Sequence, residues 1–201
     1  MTIIIIAITS LVSIMGFSRP DLVEKLQFNA SKVIHKHEYY RLISHGFVHA
    51  NWEHLLVNMI VLYSFGQAIE LYFNVFGRMA GAYFLLLYFG GMLVSNAYAL
   101  YKHRNNYYYN AVGASGAVSA VLFAAIFFDP WNKIYFFGLL PIPGIVFAVL
   151  YLAYSYYMSR KQHDNIAHDA HFLGALFGFV YPILLNGNYF QHFLDKLFRV
   201  I

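Results

Sequence analysis

Apolar residues gather into six long runs separated by short polar stretches, and the runs are too continuous for the one-sided stripe of a surface helix. They cover Thr2–Phe17, Trp52–Leu71, Met79–Tyr101, Gly113–Phe128, Ile134–Met158 and Ile166–Leu185. About 20 apolar residues cross roughly 30 Å of hydrocarbon, so each run predicts a membrane-crossing helix, the first and fourth being short. The first run follows Met1 with no basic n-region and reads as a helix rather than a signal peptide. From Ser18 to Asn51, Arg19, Lys25, Lys32, Lys36 and Arg41 interleave with Leu22, Val23, Leu26, Phe28, Val33 and Ile34. That mixture predicts an amphipathic loop lying at the interface. From Asn188 onward Phe190, Phe193, Leu194, Leu197, Phe198 and Ile201 recur at helical spacing, opposite Gln191, Asp195, Lys196 and Arg199. A surface helix is the expectation for that tail. The pattern as a whole predicts an all-α, polytopic membrane protein forming a single domain over residues 1–201, without internal repeats.

Composition sharpens this picture. Hydrophobic residues make up 60% of the 201, and charged residues only 11%, against roughly a quarter in an ordinary soluble domain. Having no cysteine, the chain has no disulfide framework, thiolate nucleophile or Cys-ligated zinc. The net charge of +4 is scattered over short loops and forms no stripe, which excludes nucleic acid as a partner. Lys and Arg are more numerous in the loops after the first, third and fifth runs. The positive-inside rule alone would put those loops in the cytoplasm.

Polar side chains inside apolar helices are costly and mark functional sites. In the stretch from His45 to Asn58, His45 and His49 are spaced i, i+4, as are His54 and Asn58. The five-residue step from His49 to His54 rotates a continuous helix by about 140°, so a break belongs between them. Asn51 is a suitable N-cap for the next helix, leaving His45 and His49 in the loop and stacking His54 with Asn58 on one inward face. That pair can equally serve as polar glue between helices.

Gly113-Ala114-Ser115-Gly116 opens the fourth run. It suits a small-residue packing face, and it also suits a nucleophilic serine that needs room for substrate and an exposed backbone N–H. In the sixth run His171, Gly174 and Gly178 fall at i, i+3 and i+7, an imidazole above a groove of small residues. If that groove admits the fourth helix, His171 can take the proton of Ser115. Asp169 lies about 200° around the helix from His171, and Asp164 about 10 Å along it, so neither orients the ring and the pattern predicts a dyad. Glu70, near the end of the second helix, reads as an interfacial anchor or loop clamp.

These three motifs, in this order on helices two, four and six and spanning positions 41 to 178, resemble the rhomboid intramembrane proteases. The resemblance implies a six-transmembrane-helix bundle and an intramembrane serine endopeptidase. Ser115 would be the nucleophile and His171 the general base, with His54, Asn58 and the Ser115 N–H stabilising the oxyanion. His45, His49 and Glu70 take structural roles, and His168 is the competitor for the base, lacking the glycine spacing of His171. Where family members commonly have Trp-Arg in the first loop this chain has Tyr40-Arg41. Where some carry a tyrosine under the catalytic histidine, one turn after the nucleophile, it has Ser119, leaving ring support to another residue. The expected partners are single-span transmembrane substrates and the lipid bilayer, with no cofactor or metal, in a multi-pass protein of a bacterial inner membrane. The family topology, with both termini cytoplasmic and the site opening outward, is preferred over the loop-charge reading. The alternatives are a non-proteolytic rhomboid-like binder, which should lack the serine or the histidine, and a metal or haem protein ligated by histidines.

Overall fold

The computed structural model describes residues 1–136, 139–161 and 166–198. Asp164, Arg199 and Ile201 lie outside the described residues. In chain order the helices are α1 (Thr2–Phe17), α2 (Pro20–Leu26), α3 (Ala30–Lys36), α4 (Arg41–Ser44), α5 (Trp52–Phe73), α6 (Ala80–Lys102), α7 (Ser115–Phe128), α8 (Gly144–Lys161), α9 (His168–Leu185) and α10 (Asn188–Phe198). One short hairpin, β1 (Lys133–Phe136) with β2 (Leu140–Pro143), precedes α8.

Five of the six apolar runs become helices within two or three residues of their expected ends. The fifth begins ten residues later than its apolar run, at Gly144. Pro141 and Pro143 lie just ahead of it, where rings without an N–H cannot continue a helix, so this stretch pairs in register Lys133↔Pro143 as an edge hairpin instead. Two stretches are long and apolar enough to cross a bilayer by length and composition, Trp52–Lys102 and His168–Leu185. The first is interrupted by Gly77, at φ 54 and ψ −123, between α5 and α6. The shorter Thr2–Phe17 and Ser115–Phe128 are also apolar.

Helix α7 is the centre of the molecule. Every residue from Gly116 to Phe128 is buried, with α5, α6 and α9 packed around it. A helix surrounded on all sides needs apolar residues on all sides, and SGAVSAVLFAAIFF supplies them. The closest approach is to α9: a methyl group at Gly174 would lie 2.2 Å from the Gly116 carbonyl oxygen, and one at Gly178 would lie 2.0 Å from that of Ala120. Glycine at both positions is what lets the two backbones touch.

The outer face reverses the rule for soluble proteins. Helix α1 exposes Ile3, Ile4, Ile8 and Leu11 while burying Thr2, Thr9 and Ser13, and α5 exposes Leu56, Val57 and Ile60. An apolar exterior over polar interior contacts is what a hydrocarbon solvent favours. Glu70 on α5 accepts the Thr2 N–H at 2.5 Å and so ties the first turn of α1 to α5.

The segment 18–51 is more ordered than an amphipathic loop skimming the surface. Phe28, Ala30 and Val33 are buried against Ala99 of α6. Arg41 is its internal clasp: Nη1 donates to the Glu24 and Gln27 carbonyls at 2.8 Å each, and Nε to Glu38 at 2.5 Å. That guanidinium holds the Glu38 carboxyl below its usual range. Tyr40, by contrast, is exposed. In the C-terminal tail, α10 sits against the bundle through Phe193, which stacks on Phe127 with ring centroids 5.0 Å apart, while Phe190 and Phe198 stay exposed.

Candidate active site

The site is built at the N-terminus of α7, and the loop before it explains its geometry. Gly113 adopts φ 109, a conformation that L side chains avoid. This turn ends the 103–114 loop and starts α7 at Ser115 rather than at Gly113. No side chain caps this helix, so its first N–H groups and the positive end of its dipole are available around Ser115.

Two backbone groups just ahead of Ser115 are gripped by the histidine loop. The Gly113 N–H donates to the His45 carbonyl at 2.9 Å, and the Ala114 N–H donates to His49 Nε2 at 3.3 Å. The tautomer of His49 follows from its other partner. Ser13 donates its hydroxyl to the Phe47 carbonyl at 2.9 Å and so accepts from His49 Nδ1–H at 2.8 Å. On His45, Nε2 accepts from the Asn96 amide at 2.8 Å. Both rings are therefore neutral and committed. Burial pushes His45 down to about 4. Burial, reinforced by the nearby His54 and His45, pushes His49 to about 3.

Across from this loop, His171 of α9 reaches Ser115, with Nε2 2.7 Å from Oγ. Both residues are partly buried, at the mouth of the α7–α9 contact. The Asp169 carboxylate accepts the Ala170 N–H at 2.9 Å. His168 is buried and lies edge-on to Tyr154, with centroids 5.5 Å apart. His54 begins the first turn of α5, which Asn51 caps by accepting the His54 N–H at 2.8 Å. A methyl group at Gly113 would lie 2.5 Å from His54 Cε1, so the imidazole covers the backbone two residues before the serine. Asn58 is buried, and its amide donates to the His54 carbonyl at 2.8 Å, which leaves a second amide hydrogen for another acceptor.

Of the residues singled out in the sequence, Ser115 and His171 are in contact, and His54 packs over Gly113, two residues before the serine. Asn58 stands one turn below His54, and His45 and His49 act on the loop. Among the described residues no three His, Asp or Glu side chains are grouped to hold a metal ion, and the Nε2 atoms of His45 and His49 are both hydrogen-bonded.

Several contributors escaped sequence reasoning. Asn96, in the last third of α6, is a buried polar residue in an apolar helix, of the kind that signals a site. Ser13 carries no such signal, because a lone serine in an apolar run is common. Asn29 ties the 103–114 loop down through the Tyr107 and Tyr109 carbonyls at 2.9 and 3.2 Å. Tyr151 of α8 stacks on His171 and binds Ser119.

Comparison with known proteins adds an independent line. The family profile described as Rhomboid domain matches residues 36–188. The chain is 32% identical to RHOMBOID-like protein 1 of Arabidopsis thaliana over 89% of its own length and 43% of that protein. It is 29% identical to RHOMBOID-like protein 12, mitochondrial, of the same plant, over 67% of this chain and 43% of the relative. With Rhomboid-related protein 1 of Caenorhabditis elegans it shares 27% identity over 82% of this chain and 45% of the relative. The chain therefore spans less than half the length of the curated relatives it matches.

Proposed function

This chain belongs to the rhomboid family, and on that premise we propose that it is an intramembrane serine endopeptidase acting through a Ser115–His171 dyad. Its substrates are single-span membrane proteins, cut in or beside the transmembrane segment. The observation that carries the reading is the 2.7 Å approach of Ser115 Oγ to His171 Nε2 at the uncapped start of α7.

The steps follow from that contact. Ser115 donates its hydroxyl proton to His171 Nε2 as Oγ attacks the scissile carbonyl carbon. The carbonyl oxygen becomes an oxyanion stabilised by the Ser115 N–H, His54 and the free hydrogen of the Asn58 amide. His171 then returns the proton to the departing amide nitrogen as the C–N bond breaks. Water, deprotonated by the same imidazole, hydrolyses the acyl ester on Ser115. The cycle asks of His171 that its ring be held in one orientation beside Ser115.

Six helices, α1 and α5 to α9, cross the bilayer in this proposal, with both termini in the cytoplasm of a cell membrane, taken as a bacterial inner membrane. At 1.5 Å per residue, the 14 residues of α7 span about 21 Å of a hydrocarbon layer roughly 30 Å thick. Its N-terminus therefore ends inside the membrane, and water descends to it beside the loops. The test is Ser115→Ala in proteoliposomes with a panel of single-span substrates. Cleavage should disappear while the helical content and melting behaviour stay as in wild type. Continued turnover by the alanine variant would refute the assignment.

A further inference from the structure

Proton transfer between Ser115 and His171 requires the imidazole to lie in the right plane. We propose that Tyr151 is the positioning residue for the His171 imidazole, supplied by α8 and locked in place by Ser119 of α7. The inference rests on the reading of Ser115 and His171 as the reacting pair.

Three observations carry it. The Tyr151 and His171 rings lie nearly parallel, at 22°, with centroids 6.4 Å apart, an offset arrangement within the range of favourable aromatic contact. The Tyr151 hydroxyl is 2.7 Å from Ser119 Oγ. Ser119 is buried one helical turn after Ser115, so the phenol is pinned to the helix that carries the nucleophile. The ring is also enclosed, with Phe123 of α7 at 5.5 Å and Phe147 of α8 at 5.7 Å between centroids. A Tyr ring with neighbours on its faces and its hydroxyl bound has no rotamer left to visit, and it presents a fixed surface to the imidazole.

The face that α8 turns inward gives the residue further significance. Its buried positions are Gly144, Ala148 and Ser155, all small, and Tyr151 stands between them at i+3 from Ala148 and i−4 from Ser155. Phe147 and Leu152 pack beside it against α7, and among these side chains Tyr151 is the one that stacks on the base. Among the described residues its bond to Ser119 is the one side-chain hydrogen bond joining α8 to α7. Orientation of the base consequently depends on α8 being seated against α7, and lifting α8 withdraws the ring from His171.

The test uses the full chain in proteoliposomes. The rate of fluorophosphonate labelling at Ser115 is measured alongside kcat and KM for a cleaved single-span substrate and the apparent melting temperature. Tyr151→Leu keeps apolar volume but removes the flat ring, and should lower both the labelling rate and kcat at least tenfold, with KM within twofold. Tyr151→Phe restores the ring without its lock and should recover most of that loss, with Ser119→Ala behaving alike. Phe147→Leu removes a neighbouring ring that does not stack on His171, and serves as the packing control. The proposal is overturned if Tyr151→Leu labels like wild type, or if Tyr151→Leu and Phe147→Leu lose labelling equally for equal loss of melting temperature. Failure of wild type itself to be labelled at Ser115 would instead refute the dyad, a result these variants cannot mimic.

Discussion

Substituting Gly174 by alanine tests the α7–α9 contact on which the dyad depends. The added methyl would sit 2.2 Å from the Gly116 carbonyl oxygen, whereas ordinary contact begins at 3.4 Å. Both partners are backbone atoms of packed helices and no flexible side chain can yield, so α9 must retreat from α7 by about 1.2 Å at this level. Three residues earlier on α9, His171 would be carried from 2.7 Å to nearly 4 Å from Ser115 Oγ, beyond hydrogen-bonding reach. A misplacement of about 1 Å at a reacting pair costs on the order of 100-fold in rate, or about 2.7 kcal/mol of activation free energy. Overpacking should also cost about 1–3 kcal/mol of stability. The assay is the second-order rate of fluorophosphonate labelling at Ser115, with the melting temperature followed in parallel. Gly187→Ala is the control, since a methyl there meets nothing within 4 Å, and it should change neither quantity. Labelling of Gly174→Ala within threefold of wild type would show that the helices tolerate separation, and the close-contact reasoning would fail.

Three further outcomes are expected. Because His45 and His49 titrate at about 4 and 3 when folded but near 6.5 when unfolded, the unfolded chain binds more protons between those values. Stability should then fall as pH drops below about 6.5, by roughly 3 kcal/mol for His45 by pH 4. Melting curves from pH 7.5 to 4.5 that show no decline, or a decline that His49→Asn leaves equally steep, would contradict this. Arg41→Lys forfeits the two-carbonyl fork at Glu24 and Gln27 and should cost about 2 kcal/mol, visible as a lower melting temperature; an unchanged melting point would remove the clasp role. Orientation can be read from single-cysteine variants, as the chain has no cysteine of its own. In intact cells a membrane-impermeant maleimide should label Tyr108→Cys, at the Ser115 end, and spare Val75→Cys, at the opposite turn; the reverse pattern would support the loop-charge reading and reject outward opening.

Much of the site was legible because its signals are local. The Asn51 cap, the break between His49 and His54 and the Gly174–Gly178 groove are consequences of helical geometry acting within a few residues, and each occupies its expected place. The hairpin at 133–143 was missed because its residues are as apolar as a helix, although Pro141 and Pro143 carried the warning. The packed 18–51 segment was under-read for a different reason. Its clasp, Arg41, works through backbone carbonyls 14 and 17 residues earlier, and carbonyls have no signature in a sequence.

By itself, the sequence determined where the apolar helices lie and which residues are candidates to react. Apolar runs of this length favour helices, and the placing of one serine and one histidine beside glycines lets two helices approach closely enough for those side chains to meet. The tertiary structure decided everything that depends on side chains meeting from distant elements. Examples are the grip of His45 and His49 on Gly113 and Ala114, the reach of Glu70 to α1, and the ring of Tyr151 against His171. Such contacts pair residues far apart along the chain, and a single sequence records each residue's type but not the rotation and depth at which its helix packs.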